Sequence, residues 1–201
     1  MRRLLGAVVP VSIALACLLV AAPVRADQVT VRDQRHDVSE TRVGDVGAYV
    51  YQGKIREGDF IATTFRHGRR AVVVTSRFRA LDRVGNHHGY FLRLESGRHV
   101  YRDVTLEAGP GLWRGRHVVT NRRGDRVRCG VQHAVNYRRN IVQMIVPRSC
   151  FGDPRVVRGT AAAMWTRPDL DDPSQSDILD VDNPHNDEPA VNTWTRWIRR
   201  G

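Results

Sequence analysis

Short stretches in which apolar and polar residues alternate, separated by turn residues, recur between residues 48 and 165, and this pattern constrains the fold most strongly. In the stretch 71–81, Val72, Val74 and Phe78 occupy alternate positions. Because successive side chains of a β-strand point to opposite faces, these residues would share a buried face while the residues between them face solvent. Repeated strands at this spacing predict an all-β sandwich or barrel.

The turn residues divide this pattern into hairpins and single strands. Gly68 predicts a tight turn between strands at 60–65 and 71–81, since glycine readily adopts the positive φ that such turns use. A second hairpin is predicted from 90–95 and 99–106. Further strands are predicted at 112–120, 127–136, 141–146 and 156–165. The strand at 141–146 is almost entirely apolar, so we expect it to be a central strand buried on both faces. The alanines in 156–165 are also compatible with a helix.

The first 26 residues have the organisation of a secretory signal peptide. Arg2 and Arg3 form a charged start, an apolar stretch follows, and Val24 and Ala26 are the small residues that a signal peptidase recognises. We expect cleavage after Ala26, a mature chain that begins at Asp27, and a secreted or extracytoplasmic location without a transmembrane span.

Two alternatives to cleavage remain open for this leader. A membrane anchor needs about 20 apolar residues, whereas Pro10 interrupts the apolar stretch. A lipoprotein would carry its lipid on Cys17, but Ala14 stands where such signals usually have leucine. Both are less consistent with the sequence than cleavage.

Two cysteines remain after cleavage, Cys129 and Cys150. Disulfides persist outside the cytoplasm, so we predict that these residues form a structural disulfide. The alternative, a nucleophilic cysteine with His133 as its base, requires a reduced thiol in an oxidising compartment. No catalytic residue is assigned.

Charge is distributed unevenly along the mature chain. Residues 27–167 contain 26 basic and 13 acidic residues, a formal charge of +13, whereas residues 168–188 contain eight acids and no lysine or arginine. We therefore divide the chain into a signal peptide (1–26), a β-sandwich domain (27–167) and an acidic loop or tail (168–201) whose end suggests a terminal edge strand. We expect an exported basic domain to meet a cell-envelope glycan or anionic polymer rather than nucleic acid, unless the arginine excess reflects composition alone.

No metal is predicted from the sequence motifs. His87 and His88 lie in a glycine-containing stretch that we expect to be a loop, and neighbouring side chains of an extended chain point apart. Six aspartates between residues 169 and 182 offer the oxygen ligands that calcium prefers. An EF-hand starting at Asp180 nevertheless fails, because His185 stands where a glycine is required.

Two stretches resemble a known group of β-sandwiches. GDFIATTFRHGRRAVVVTSRFRAL (58–81) resembles the opening hairpin of DOMON-like and family 9 carbohydrate-binding-module-like domains, and IVQMIVPRSCFGDPRVVRG (141–159) resembles their late strand, proline-containing bend and following strand. The chain also resembles exported actinobacterial proteins of unknown function. The resemblance covers residues 45–165 and implies a single antiparallel β-sandwich, jelly-roll or immunoglobulin-like, without identifying a ligand.

Three functions follow as hypotheses. The first is a non-catalytic protein that binds a glycan or an anionic envelope polymer without a cofactor, with Trp113 or Trp165 exposed beside arginines. The second is a haem-binding domain, in which Met144 or Met164 and a histidine would face one pocket. The third is a hydrolase. The sequence contains no G-x-S-x-G or H-E-x-x-H motif, although sequence spacing says little about carboxylates paired across a sheet.

Overall fold

The computed structural model describes residues 26–33, 37–42, 50–51, 55–83, 85, 87–168, 178–182 and 193–201. The predicted signal peptide, with Cys17, lies outside the described residues apart from Ala26, and so do the four aspartates between residues 169 and 177. Among the described residues, no helix is both long and apolar enough to cross a membrane.

The strands of this part of the chain form two antiparallel sheets. In chain order they are β1 (Asp27–Arg32), β2 (Ser39–Arg42), β3 (Val50–Tyr51), β4 (Phe60–His67), β5 (Ala71–Phe78), β6 (His87–Ser96), β7 (Tyr101–Ala108), β8 (Arg116–Thr120), β9 (Gln132–Asn136), β10 (Ile141–Pro147), β11 (Val156–Arg167), β12 (Ile178–Asp182) and β13 (Ile198–Arg199). A 3-10 helix, Arg148–Phe151, lies between β10 and β11.

The first sheet has the strand order β1-β4-β5-β10-β9, and the second has the order β3-β2-β12-β11-β6-β7-β8. Strand β11 is long enough to pair with β12 along its C-terminal half and with β13 at its N-terminal end. The two sheets pack face to face around one hydrophobic core to which both contribute. The predicted all-β sandwich is therefore confirmed.

Alternation produces the core, as the sequence pattern predicts. In β5 every second residue is buried, from Val72 to Phe78, and Phe65 of the paired strand β4 is buried as well. Opposite Phe65, the second sheet has Gly159, where an added Cβ would overlap the Phe65 ring and the side chain of Leu94. Glycine thus allows the two sheets to approach closely at this point.

Both predicted hairpins are present, with Gly68 donating a hydrogen bond to the Ala71 carbonyl in the first turn (2.9 Å). Several details differ from the predictions. Strand β10 is central, but its burial alternates, so it is not buried on both faces. Residues 127–131 are not in a strand, and residues 160–163 belong to the strand β11 rather than to a helix.

Three further differences concern single residues or short segments. His87 and His88 begin β6 instead of lying in a loop, because both residues pair with β11 and His88 also pairs with β7. Trp165 is buried, since it shares the inner face of β11 with Ala161 and Ala163. Strand β12 lies within the segment whose composition indicated a loop or tail.

Cys129 and Cys150 form a disulfide, with Cα atoms 5.7 Å apart. Cys150 lies in the 3-10 helix after β10 and is 8% exposed. Cys129 packs against the core. The bond therefore ties the irregular segment before β9 to the end of β10.

The last described segment, residues 193–201, connects both sheets. Thr195 exchanges hydrogen bonds with Gly159 of β11 (2.9 and 3.1 Å). On the other side, Arg196 donates two hydrogen bonds to the Asp27 carboxylate in β1 (3.0 and 3.1 Å), and the Gly201 amide donates to the His67 carbonyl in β4 (3.1 Å).

Candidate functional site

An open groove with a volume of about 1100 Å³ lies at the β4–β5 turn. Arg66 at the end of β4 and Arg69 and Arg70 in the turn line it, and all three side chains are exposed. The strand alternation explains Arg66, which faces outward between the buried Phe65 and His67. Sequence neighbours in one turn thus concentrate positive charge at one end of the sandwich.

A second recess of about 450 Å³ adjoins this groove and shares Arg69 with it. It is also lined by Arg200 and by Arg148 of the 3-10 helix. We call the five residues Arg66, Arg69, Arg70, Arg148 and Arg200 the arginine groove.

Arg148 is 5% exposed, which is unusual for a charged side chain. Its guanidinium group donates to the carbonyls of Arg69 (2.6 Å) and Pro154 (3.0 Å). Its Nε is buried and has no hydrogen-bond partner among the described residues. The nearest carboxylate, that of Asp153, is 3.8 Å away and its side chain is 73% exposed. Arg148 is therefore a buried cation whose own chain balances its charge weakly.

Two other ionisable groups adjoin the groove. Burial lowers the pKa of His67, and its Nδ1 donates to the Ile198 carbonyl (3.1 Å), so this imidazole is neutral near pH 7. The carboxylate of Asp27 lines the groove, but hydrogen bonds from Arg196 and from the Arg199 amide hold its pKa below the usual value. Its charge is thus engaged within the chain.

Four carboxylates converge at the other end of β4. The side chains of Asp33, Asp37, Asp59 and Asp182 bring oxygens within 4.8 Å of one another. Asp59 accepts a hydrogen bond from Arg79 (2.6 Å), and Asp182 accepts one from the Phe60 amide (2.7 Å). Oxygen donors in this arrangement are of the type that hard cations bind. Only Asp182 among them was considered for calcium from the sequence, because the other three lie in separate segments.

Strand β4 contains eight residues, so this carboxylate cluster lies roughly 25 Å from the arginine groove. The two features therefore lie at opposite ends of β4.

Near the carboxylate end, Glu57 lies 4.0 Å from the buried His88, measured from Oε1 to Nε2. Burial, and then the charge of Asp82, raise the pKa of Glu57 to about 7. His88 itself packs against the rings of both Trp113 and Trp165. A carboxyl group in this environment can exchange a proton near neutral pH, which is a property of acid–base catalysts. No sequence motif pointed to Glu57.

The structure distributes the remaining sequence candidates over separate places. His133 bonds the Nδ1 of His117 (2.9 Å) and the Gly115 carbonyl (3.2 Å), and Cys129 is held in the disulfide with Cys150. Met144 is buried in the core beside a void of only about 10 Å³. Trp113 is half-buried.

The exposed tryptophan is Trp197, at 37%, which the sequence did not single out for binding. Trp197 directly precedes Ile198, a core residue of β13. Because neighbouring side chains of an extended chain point to opposite sides, a buried Ile198 indicates an exposed Trp197. No family model matches this chain, and neither the curated proteins nor the solved structures contain a match.

Proposed function

We propose that the chain is an extracytoplasmic β-sandwich protein that binds an anionic envelope polymer in the arginine groove. The observation that carries this proposal is Arg148, a buried guanidinium group at the floor of a recess that opens between exposed arginines. A bound anion would balance this charge, which the chain itself balances weakly.

The shape and charge of the groove favour a polymer over a small anion. Its five guanidinium groups come from the β4–β5 hairpin, the 3-10 helix and the end of the chain, so they lie along a surface rather than around one point. A polyanion can contact several of them at once, and each guanidinium can bind a carboxylate or phosphate through two hydrogen bonds.

Two features of the chain support the proposed location. The leader at residues 1–26 has the organisation of a signal peptide. The Cys129–Cys150 disulfide is of a kind that persists in oxidising compartments. Both support an envelope polymer as the partner that the protein meets.

The test measures binding of the secreted protein to polygalacturonate and to polyphosphate, with neutral dextran as the negative control, by isothermal titration calorimetry. The variant Arg69→Gln/Arg70→Gln removes two exposed groove charges. The matched control, Arg138→Gln/Arg139→Gln, removes two exposed charges from the β9–β10 turn, which pairs near the opposite end of β5.

We expect the groove variant to weaken binding by about 3- to 30-fold, since exposed ionic contacts contribute up to about 1 kcal/mol each. Raising NaCl from about 50 to about 200 mM should weaken the wild-type interaction as well. Equal effects of the two double variants, or equal binding to dextran, would contradict the proposal.

A hydrolase is the second candidate, and Glu57 is the residue that favours it. Its carboxyl group, with a pKa near 7 and His88 at 4.0 Å, is suited to proton transfer. The test compares wild type and Glu57→Gln for release of reducing ends from polygalacturonate and from cell-wall glycan between pH 5 and 8. Absence of turnover in the wild type, or equal turnover in the variant, would leave polymer binding as the function.

A further inference from the structure

A row of stacked cations and aromatic rings lies on the second sheet, on the face turned away from the core. The successive members, which we call the cation–π ladder, are Arg122, Tyr101, Trp194, Arg158 and Trp197. The guanidinium of Arg122 lies 5.0 Å from the Tyr101 ring centre, and the Tyr101 and Trp194 rings are 6.3 Å apart. The guanidinium of Arg158 lies 4.8 Å from the ring centres of both Trp194 and Trp197.

The sheet register explains why the ladder forms here. Arg158 of β11, Glu95 of β6 and Tyr101 of β7 are direct cross-strand neighbours. Glu95 is 0% exposed and accepts a hydrogen bond from Arg158 Nε (2.6 Å) and one from His99 (2.7 Å). A buried carboxylate thus holds the guanidinium in place beside two tryptophan rings.

The ladder adjoins the arginine groove through the end of the chain. Trp197 stands between Arg196 and Arg199, which both bond the Asp27 carboxylate in the groove wall. Three residues after Trp197, Arg200 lines the groove itself. A polymer that leaves the groove along residues 196–200 therefore passes the exposed indole.

Charge and chemistry differ between the two surfaces. The groove presents guanidinium groups, whereas Arg158 in the ladder is already neutralised by Glu95. Arg122, the other cation of the ladder, stacks on Tyr101 at the end away from Trp197. The end nearest the groove therefore offers mainly the exposed ring of Trp197. The C–H faces of sugar rings can pack on such surfaces, while a polyanion without rings has nothing to place there.

Resting on the proposed function of the groove, we infer that the polymer is an acidic polysaccharide, whose carboxylates bind the arginine groove while a sugar ring packs on Trp197. Ring-free polyanions such as polyphosphate bind the groove alone.

The test compares polygalacturonate with polyphosphate of equal total charge, using wild type, Trp197→Ala and Arg69→Gln/Arg70→Gln. We expect Trp197→Ala to weaken polygalacturonate binding at least about fivefold, as loss of an aromatic anchor does, and to change polyphosphate binding less than about twofold. Trp197→Tyr, which keeps a ring, should restore most of the lost affinity. Leu112→Ala is the matched control, because Leu112 is equally exposed (38%) and belongs to neither surface.

The outcomes separate the two claims. If the arginine variant weakens both ligands but Trp197→Ala affects them equally or not at all, the inference about the polysaccharide is overturned and the groove function stands. If the arginine variant affects neither ligand, the proposed function itself fails. A second measurement needs no variant: polygalacturonate should protect wild-type tryptophan fluorescence from acrylamide quenching, and equal protection by polyphosphate would also overturn the inference.

Discussion

Removing the disulfide should lower stability without changing what the protein binds. The residues Cys129 and Cys150 are separated by 21 positions in the chain, with Cα atoms 5.7 Å apart. Closing a loop of this length stabilises the folded state by about 3 kcal/mol in the chain-entropy model. For the 175 residues that follow Ala26, each kcal/mol corresponds to roughly 2–4 °C in Tm. We therefore expect Cys129→Ala/Cys150→Ala to melt about 6–12 °C below the wild type.

The assay is thermal unfolding followed by far-UV circular dichroism, with wild type, wild type plus reductant, and the double variant compared at pH 7. Alanine is preferable to serine, because Cys150 is buried and a hydroxyl there would need a hydrogen-bond partner. If the Tm values of the reduced wild type and the variant agree within about 2 °C, the loss of stability comes from the missing cross-link and not from the packing of the sulfur atoms.

Binding to polygalacturonate at 25 °C should be unchanged in the double variant. Arg148 shares the 3-10 helix with Cys150, but its own hydrogen bonds to the carbonyls of Arg69 and Pro154 position the guanidinium. Free thiols in the folded secreted protein, an unaltered Tm, or loss of binding while the variant remains folded would each refute the assignment of a purely structural role.

Four shorter predictions concern other residues. Glu95→Gln should cost about 3 kcal/mol in urea denaturation at pH 7. Burial alone would raise the pKa of Glu95, but its hydrogen bonds outweigh burial and lower it, so the difference from wild type should shrink as the pH falls below 4.5. Gly58→Ala should destabilise the fold by about 2 kcal/mol or more, because the alanine would have to adopt a positive φ and its Cβ would also overlap the indole ring of Trp165. Gly111→Ala, with a similar φ and open space, is the control. Because burial raises the pKa of Glu57 to about 7, the stability of wild type relative to Glu57→Gln should fall as the pH rises from 4.5 to about 7. Intact-mass measurement of the secreted protein should give a chain that begins at Asp27, and retention of the leader would contradict this.

The hairpins could be predicted from the sequence because their burial has a period of two. In β5, the buried and half-exposed residues follow the apolar and polar positions closely, and Gly68 marks the turn before it. Strand β12 could not be found in this way. Its residues Asp180 and Asp182 are buried, and they accept hydrogen bonds from Arg167 and from the Phe60 amide, so their acidic character gives the appearance of a solvated loop.

The positive charge of the candidate site could be predicted from the sequence, but the location of the arginine groove could not. The excess of arginine in residues 27–167 is evident from the sequence. The groove, however, combines Arg66 with Arg148 and Arg200, which only the pairing of β5 with β10 and the return of the chain end bring together. The tryptophans show the same limit, because Trp165 lies on the inner face of β11 and is buried, while Trp197, just before β13, is exposed.

The groove and the cation–π ladder depend on one structural element, the segment 193–201. This segment is attached to the second sheet through Thr195 and to the first sheet through Arg196 and the Gly201 amide. Trp197 and Arg200 therefore reach their places only when both sheets are assembled. A polymer that contacts these residues binds the folded state alone and must raise its stability by mass action. If the groove binds a polymer as proposed, binding and the attachment of residues 193–201 to both sheets should stabilise each other.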